Sequence, residues 1–462
     1  MQNLHERSAL EHAEAIRKGE YSSEELTRFF LNRIENINPE IFAFVHVTPR
    51  KAIKRAKQLD SERINSKSSD LPIFHGVPTA IKDLVLTKGD PSRLGSRAYK
   101  YFVAPYDAPL AKLFNAGGFV SLGKLATSEF GVLPTTEPRI HPPTRNPWNQ
   151  SCSPGGSSGG SSAAVSAGLI PFAHASDGGG SVRIPSALCH LYGFKPSLSL
   201  LGNMHGKYNK IGLSVMGPIA RHVRDAAGML DVMGKKPFAG PGSCLAACDE
   251  APGKLKVCMM THSAIGPANQ EIADATIALG KTLEALGHTV DTIEPELASL
   301  DDFLPVWQFA VSGVPSISEK ILMPVTQWLR EGAKYVSFER ANEARVKLSA
   351  RIKAFMADYD ICLSPTVGIG APKVAEFDDA ANPEKWFRNS AQLGGFTAPF
   401  NLTQGTAASI PVGLTSDGLP IGAQIAADPG RDHLILSLSH QLERELDWNR
   451  RKSPLFTRQC SV

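Results

Sequence analysis

The sequence predicts an α/β protein: a single large unit in which a mixed β-sheet core is covered by helices on both faces. Apolar, β-prone runs alternate with helical stretches along the chain, one region reads as a complete strand-helix-strand crossover, and no long polar linker divides the chain. With 462 residues and 42 % hydrophobic content there is ample material for a core.

The first sixty residues read as a helical segment. One helix is expected over 8–18, and a second opens at Ser22 with Glu25 three residues on, the spacing of a capping box, and runs to about Ile37. The basic cluster from Arg50 to Lys57 has helical spacing and fits a solvated helix face. Residues 74–86 join a turn to an apolar, β-prone run, which places Lys82 inside a buried strand. A helix that stops at Gly117 and a strand from Phe119 follow, and the small apolar stretch 163–173 reads as a tightly packed helix and then a strand. Further on, strand 255–260, helix 267–286 and strand 288–293 form the crossover. Helix 337–356, strand 361–364 and a helix over 434–446 complete the alternation. Two stretches, 235–253 and 296–335, stand out as surface or pocket excursions.

Charge excludes some partners. Forty-nine basic residues face 45 acidic ones without a dense basic block interleaved with aromatics, so nucleic acid is not expected. No apolar run approaches a membrane span, and the amino terminus lacks the order of a secretory signal, so a cytoplasmic protein is expected. Seven scattered cysteines fit reduced thiols better than a disulfide framework, and Cys244, Cys248 and Cys258 lack the partners of a zinc site, so no metal is expected.

The chemistry concentrates in two glycine-rich segments: residues 153–162, Ser-Pro-Gly-Gly-Ser-Ser-Gly-Gly-Ser-Ser with Ser157 at the centre, and residues 177–185, in which Ser181 follows three glycines. Backbone without Cβ turns sharply and lets several N–H groups converge on one oxygen. A flexible linker is the ordinary alternative, but the packed apolar stretch that follows has no place in one. A serine needs a base to become a nucleophile. Residues 155–159 match the Gly-x-Ser-x-Gly elbow of α/β-hydrolases, with thirteen histidines available as partners, yet the preceding segment is polar and ends in Pro154 where a strand should be. The other available base is Lys82, provided burial keeps its amine neutral; strand alternation turns Asp83 to the opposite face. An ordinary salt bridge is the competing use of such a lysine.

These three segments, in this order, resemble the amidase signature family. The match rests on the Gly-Val-Pro-Thr-Ala-Ile-Lys-Asp strand ending at Lys82 and Asp83, the run around Ser157, and the Asp-Gly-Gly-Gly-Ser-Val-Arg-Ile-Pro segment around Ser181. Flanking pieces at 127–131, 144–149, 193–196, 359–366 and 417–424 agree, so the likeness extends over 1–462, with 74–195 as the catalytic signature core. The resemblance implies an amidohydrolase acting on a small-molecule amide, linear, cyclic or aryl. It makes Ser181 the acyl-forming nucleophile, Ser157 a bridging serine after a cis peptide bond, and Lys82 the base, with Gly178, Gly179 and Gly180 beside the nucleophile as the oxyanion hole. It requires no cofactor, and a homodimer stays open. The rival implications are a non-catalytic docking protein on the same fold, or an amidotransferase subunit. Gly178 stands where many relatives have threonine, and this glycine form resembles stand-alone bacterial amidases more than amidotransferase subunits; His190 and the 403–406 run Thr-Gln-Gly-Thr also depart from the common pattern and bear on pocket shape. Met204, Tyr208, Phe303, Trp307 and Phe309 are candidates for the pocket wall.

Overall fold

Local sequence signals set the amino-terminal helices. Ser8 caps helix Ala9–Lys18 and Ser22 caps helix Ser23–Ile41, each closing a capping box with the glutamate three residues on. The second helix runs a turn beyond the expected end, through Pro39 in its last turn. The computed structural model describes residues 3–235, 242–295, 299–316 and 318–460. Buried Arg33 on this helix donates to the carbonyls of Ala167, Gly168, Phe456 and Arg458, tying the helix to the core and to the carboxy-terminal segment. The basic cluster at 50–57 lies along helix Pro49–Asn65, whose buried face is Ala52, Ala56 and Leu59.

The strands are β1 (Phe44–Val47), β2 (Pro78–Lys82), β3 (Val120–Leu125), β4 (Phe172–Asp177), β5 (Tyr192–Lys195), β6 (Val215–Ala220), β7 (Lys256–Met259), β8 (His262–Ser263), β9 (Gly266–Pro267), β10 (Thr289–Thr292), β11 (Ile361–Pro365), β12 (Thr406–Leu414) and β13 (Pro420–Ala427). Eight of them form one mixed sheet in the order β10-β7-β11-β13-β12-β5-β6-β4. Its β10, β7 and β11 end is parallel, and the predicted crossover supplies β7, helix Gln270–Ala285 and β10. Of the residues expected in that helix, Pro267 instead pairs in the short β8-β9 hairpin, and the helix opens three residues later, at Gln270 after Asn269. Antiparallel pairing carries the sheet from β11 to its edge at β4.

Period-two alternation fills both sides of this sheet. On β11, Ile361 and Leu363 join the cluster that includes helices Val223–Met233 and Asp432–Leu446, while Cys362 joins the opposite cluster with Leu348, Ile352 and Phe400. A second sheet of three strands, β1-β3-β2, lies against the β4 edge, where the Thr79 hydroxyl donates to the Phe172 carbonyl at 3.1 Å. That junction brings the ends of β2 and β4 together, and with them Lys82, Ser176 and Asp177.

Of the two predicted excursions, residues 236–241, 296–298 and 317 lie outside the described residues. Residues 242–253 hold the short helix Cys244–Ala247, whose first amides bond the Asp231 carboxylate. Residues 299–316 and 318–335 are mostly regular structure, helices Leu300–Ser312 and Pro324–Ala333 packed on each other, the first of them over the site. The start of the helix that follows Ser157 is tightly packed. A Cβ on Gly160 would lie 2.3 Å from the Ala126 nitrogen and 2.6 Å from the Ala43 oxygen, whereas one on Gly413 would meet nothing within 4 Å. Gly160→Ala is therefore expected to lower stability by at least about 1–3 kcal/mol, with Gly413→Ala near neutral, in paired urea titrations.

Candidate active site

Lys82 ends β2 fully buried, and three serine hydroxyls surround its amine. Nζ lies 2.7 Å from Ser157 Oγ, 2.8 Å from Ser158 Oγ and 3.1 Å from Ser176 Oγ. Among the described residues no carboxylate is within ion-pair distance of it. The neighbouring Asp83 points away, as strand alternation requires, and takes the Lys124 ammonium at 3.3 Å and the Arg93 amide at 3.0 Å. Burial then acts on Lys82 with little opposition and pulls its pKa down to about 7, the more distant Asp177 pushing weakly the other way. The amine is thus poised between charged and neutral forms near pH 7.

The hydroxyl protons around it are not equivalent. Ser158 Oγ donates to the Ser176 carbonyl at 3.2 Å, so toward Lys82 it can only accept. Ser157 Oγ has no such acceptor elsewhere among the described residues, which leaves it able to donate to a neutral lysine. Its backbone is held from outside: the Gly156–Ser157 peptide is cis, and Thr136 Oγ1 bonds the Gly155 carbonyl at 2.9 Å and receives the Gly159 amide at 3.0 Å.

Ser181 follows the glycine loop at the end of β4 and opens onto the same cavity as Ser157 and Ser176. No hydrogen bond joins Ser157 to Ser181 among the described residues. The loop is fixed from beneath. Asp177 Oδ1 accepts from the Gly180 amide at 2.8 Å, from Arg183 Nη2 at 2.9 Å and from Asn401 Nδ2 at 2.9 Å, while Oδ2 accepts from the Val182 amide at 3.2 Å and from Arg183 Nε at 2.9 Å. Burial by itself would raise the Asp177 pKa; the Arg183 guanidinium and these donors outweigh it and hold the carboxyl well below its usual range. Arg183 spends its remaining N–H groups on the Thr397 carbonyl, Gln424 Oε1 and Asn401 Oδ1.

This bracing sorts the loop amides. The Gly180 N–H is committed to Asp177, and the Gly179 carbonyl is held by Thr397 Oγ1 at 2.7 Å. Among the described residues the N–H groups of Gly178, Gly179 and Ser181 make no bond in the loop and turn network. Gly180 has φ +129°, and a Cβ there would lie 2.2 Å from Thr397 Oγ1, so the residue must be glycine.

Two cavities meet at Ser181, sharing Val132 and Trp307 as walls. One, of about 90 Å³, is lined by apolar side chains such as Ile184, Ile265, Phe303 and Phe387. The other, of about 450 Å³, includes Ser157, Ser176, His205 and an aromatic set. Neither has an acidic or basic side chain among its described walls, apart from His205, whose imidazole burial and nearby Lys82 hold at a pKa of about 4, hence neutral.

Known proteins resemble this chain along nearly its whole length. The family model described as Amidase matches residues 25–436. The chain belongs to the amidase signature family. Among relatives of this amidase, the 6-aminohexanoate-cyclic-dimer hydrolase of Pseudomonas sp. (strain NK87) is 34% identical over 482 residues, covering 96% of this chain and 96% of the relative. A glutamyl-tRNA(Gln) amidotransferase subunit of Pseudomonas aeruginosa is 30% identical over 97% of this chain and 99% of the relative. A solved structure of 6-aminohexanoate cyclic dimer hydrolase complexed with substrate superposes with a TM-score of 0.87 at 31% identity, covering 98% of this chain and 100% of that one. The chain is an amidohydrolase of mixed α/β fold.

Sequence reasoning missed Ser158 and Ser176 as partners of Lys82, although both adjoin motif residues. It also missed Thr397 and Asn401, which no motif marks. Of the wall candidates, Trp307, Phe303 and Tyr208 line the two cavities, while Phe309 borders a separate cavity and Met204 packs on the main core. His190 is buried at φ +58° with Nε2 3.1 Å from the Trp448 carbonyl and its ring against Trp148, a packing role away from Ser181. Gln404, from the unusual 403–406 run, donates to the carbonyls of Ile211 and Gly212 at 3.2 Å each and so anchors the segment that carries Asn209 and Ser214 to the larger cavity. Arg183→Met would leave Asp177 buried without its countercharge; a loss of about 3–5 kcal/mol is expected in urea unfolding, and Asp177→Asn/Arg183→Met together should recover part of it.

Proposed function

We propose that this amidase hydrolyses a small carboxylic amide through an acyl-enzyme on Ser181, with Ser157 carrying protons between Ser181 and Lys82. The observation that carries this reading is the buried Lys82 amine, free of any carboxylate and in contact with Ser157, which shares a cavity with Ser181. As Ser181 Oγ bonds to the carbonyl carbon, its proton passes to Ser157 and the Ser157 proton to neutral Lys82; on collapse the same path returns a proton to the departing nitrogen as the C–N bond breaks. Water then repeats the sequence on the ester. The developing oxyanion is received by the unspent amides of the loop, Gly178, Gly179 and Ser181; removal of one such donor costs about 3–4 kcal/mol in the transition state.

The amidotransferase reading fits less well. Free glutamine carries an α-carboxylate and an α-ammonium, and neither cavity offers a countercharge among its described walls. A docking protein with no reaction has no use for a buried amine set among three serine hydroxyls, one of which opens onto a cavity shared with a serine on a glycine loop.

Incubation with a serine-directed fluorophosphonate should add mass at Ser181, and anilides or primary amides should release amine or ammonia; neither adduct nor turnover would sink the proposal. Ser181→Ala should abolish turnover and Lys82→Ala should lose at least about 100-fold. Because the lysine acts in its neutral form, kcat/KM should rise as pH passes upward through about 7, and this step should vanish from the residual activity of Lys82→Ala. Retained wild-type rates in that variant would transfer the role of base to a histidine, with His205 the nearest cavity candidate.

A further inference from the structure

The two cavities can be told apart by the path of the proton. In the reading above, on which this inference rests, the nitrogen that leaves must receive its proton through Ser157, so it departs on the side where Ser157 is exposed. Ser157 and Ser176 line the larger cavity and are missing from the described walls of the smaller one, which reaches the reacting centre only through Gly179 and Ser181. The acyl carbon chain, attached to Ser181 throughout, therefore extends the other way.

Size and wall chemistry then narrow the substrate. At about 90 Å³ the acyl-side cavity has a fifth of the room of the other, and less than the roughly 150 Å³ of a dry apolar cavity that accommodates benzene; its narrow apolar walls suit a short aliphatic chain better than a ring. The amine-side cavity, about 450 Å³, is walled by Tyr99, Phe102, Tyr106, Phe130, Tyr208 and Trp307, with half-exposed Tyr106 and Tyr208 at its open end. Such rings favour an aromatic or extended apolar amine by stacking and edge contacts. Ammonia, the leaving group of a primary amide, would leave this space unfilled. No charged side chain meets either half of the substrate among the described walls, so both halves are neutral when bound.

We propose that the smaller cavity holds a short aliphatic acyl group and the larger one an arylamine leaving group, so that this chain is specialised for short-chain acyl arylamides. Trp307, common to both cavities with its outer ring edge 3.5–3.8 Å from where Cβ atoms of Gly178 and Gly179 would stand, is the partition between them.

The test compares 4-nitroanilides of acetic, butyric and octanoic acids with butyramide, in the wild type and in Phe303→Ala and Tyr208→Ala. Neither side chain is fully buried, which favours folding of the variants. Wild type should prefer the butyryl to the octanoyl anilide, and the butyryl anilide to butyramide, each by at least about tenfold in kcat/KM. Phe303→Ala should relax the limit on acyl length without weakening the preference for an aryl amine; Tyr208→Ala should weaken the aryl preference and leave acyl-length preference intact. The steps separate as well: once the amine has left, only the acyl side is occupied, so hydrolysis of a preformed butyryl-enzyme, followed by mass, should change in Phe303→Ala and stay unchanged in Tyr208→Ala. Exchanged effects of the two variants, equal effects on both preferences, or a wild type that favours octanoyl anilide or butyramide would overturn the assignment. Acylation detected at Ser181 alongside any of these would overturn the cavity assignment alone, whereas absence of acyl-enzyme would remove the serine mechanism beneath it.

Discussion

One buried carboxylate holds the site together. Asp177 accepts five hydrogen bonds, from two loop amides, two N–H groups of the Arg183 guanidinium and the Asn401 side chain. Without it the glycine loop would have no reason to keep one face of its amides inward and the other outward. A charge so deep in the protein is tolerable because both of its oxygens are met by several donors, and because Arg183 in turn finds acceptors for its other N–H groups on Thr397, Gln424 and Asn401. The loop is rigid from below and open above, which is the condition for backbone donors to serve a reacting oxygen without rearranging.

Lys82 is the complementary case. Asp177 gains charge stabilisation from a nearby cation; Lys82 is denied an anion of its own, because Asp83 lies on the far side of the strand and is bound to Lys124. One step of the pleat thus gives these two of the buried lysines opposite fates, Lys124 paired and Lys82 unpaired. The hydroxyls of Ser158 and Ser176 supply enough polarity to make burial of an amine tolerable without fixing its proton.

Much of this is legible in the residues, and the exceptions have physical causes. The capping box at Ser22 and the glycine stop at Gly117 mark helix ends because they act within a few residues, and the crossover through β7 and β10 follows from local periodicity. Lys82, Ser157 and Ser181 stand out because each sits in a run whose composition is unusual for packing alone. The partners that complete their surroundings do not: Thr397 and Asn401 lie more than 200 positions from Asp177, in a segment whose own sequence carries no mark of that contact. The commitment of the Gly180 amide is hidden for a related reason, since three successive glycines look alike until a side chain chooses among them. Helices 300–312 and 324–333 pass for an excursion because the Pro and Gly residues around them mask a periodicity that tertiary packing restores.

The braces of Arg183 have a consequence for how such a protein can change over generations. The groups proposed to react occupy residues 82–181, whereas Thr397 and Asn401 belong to the stretch that also walls the smaller cavity with Phe387 and Leu402, and Gln424 lies beyond it on β13. A recombination event that imports a new wall from a distant homologue also replaces the loop's foundation. Novel specificity is therefore inherited safely only when these three anchors travel with it, so diversification here is constrained by three residues that need never touch a substrate.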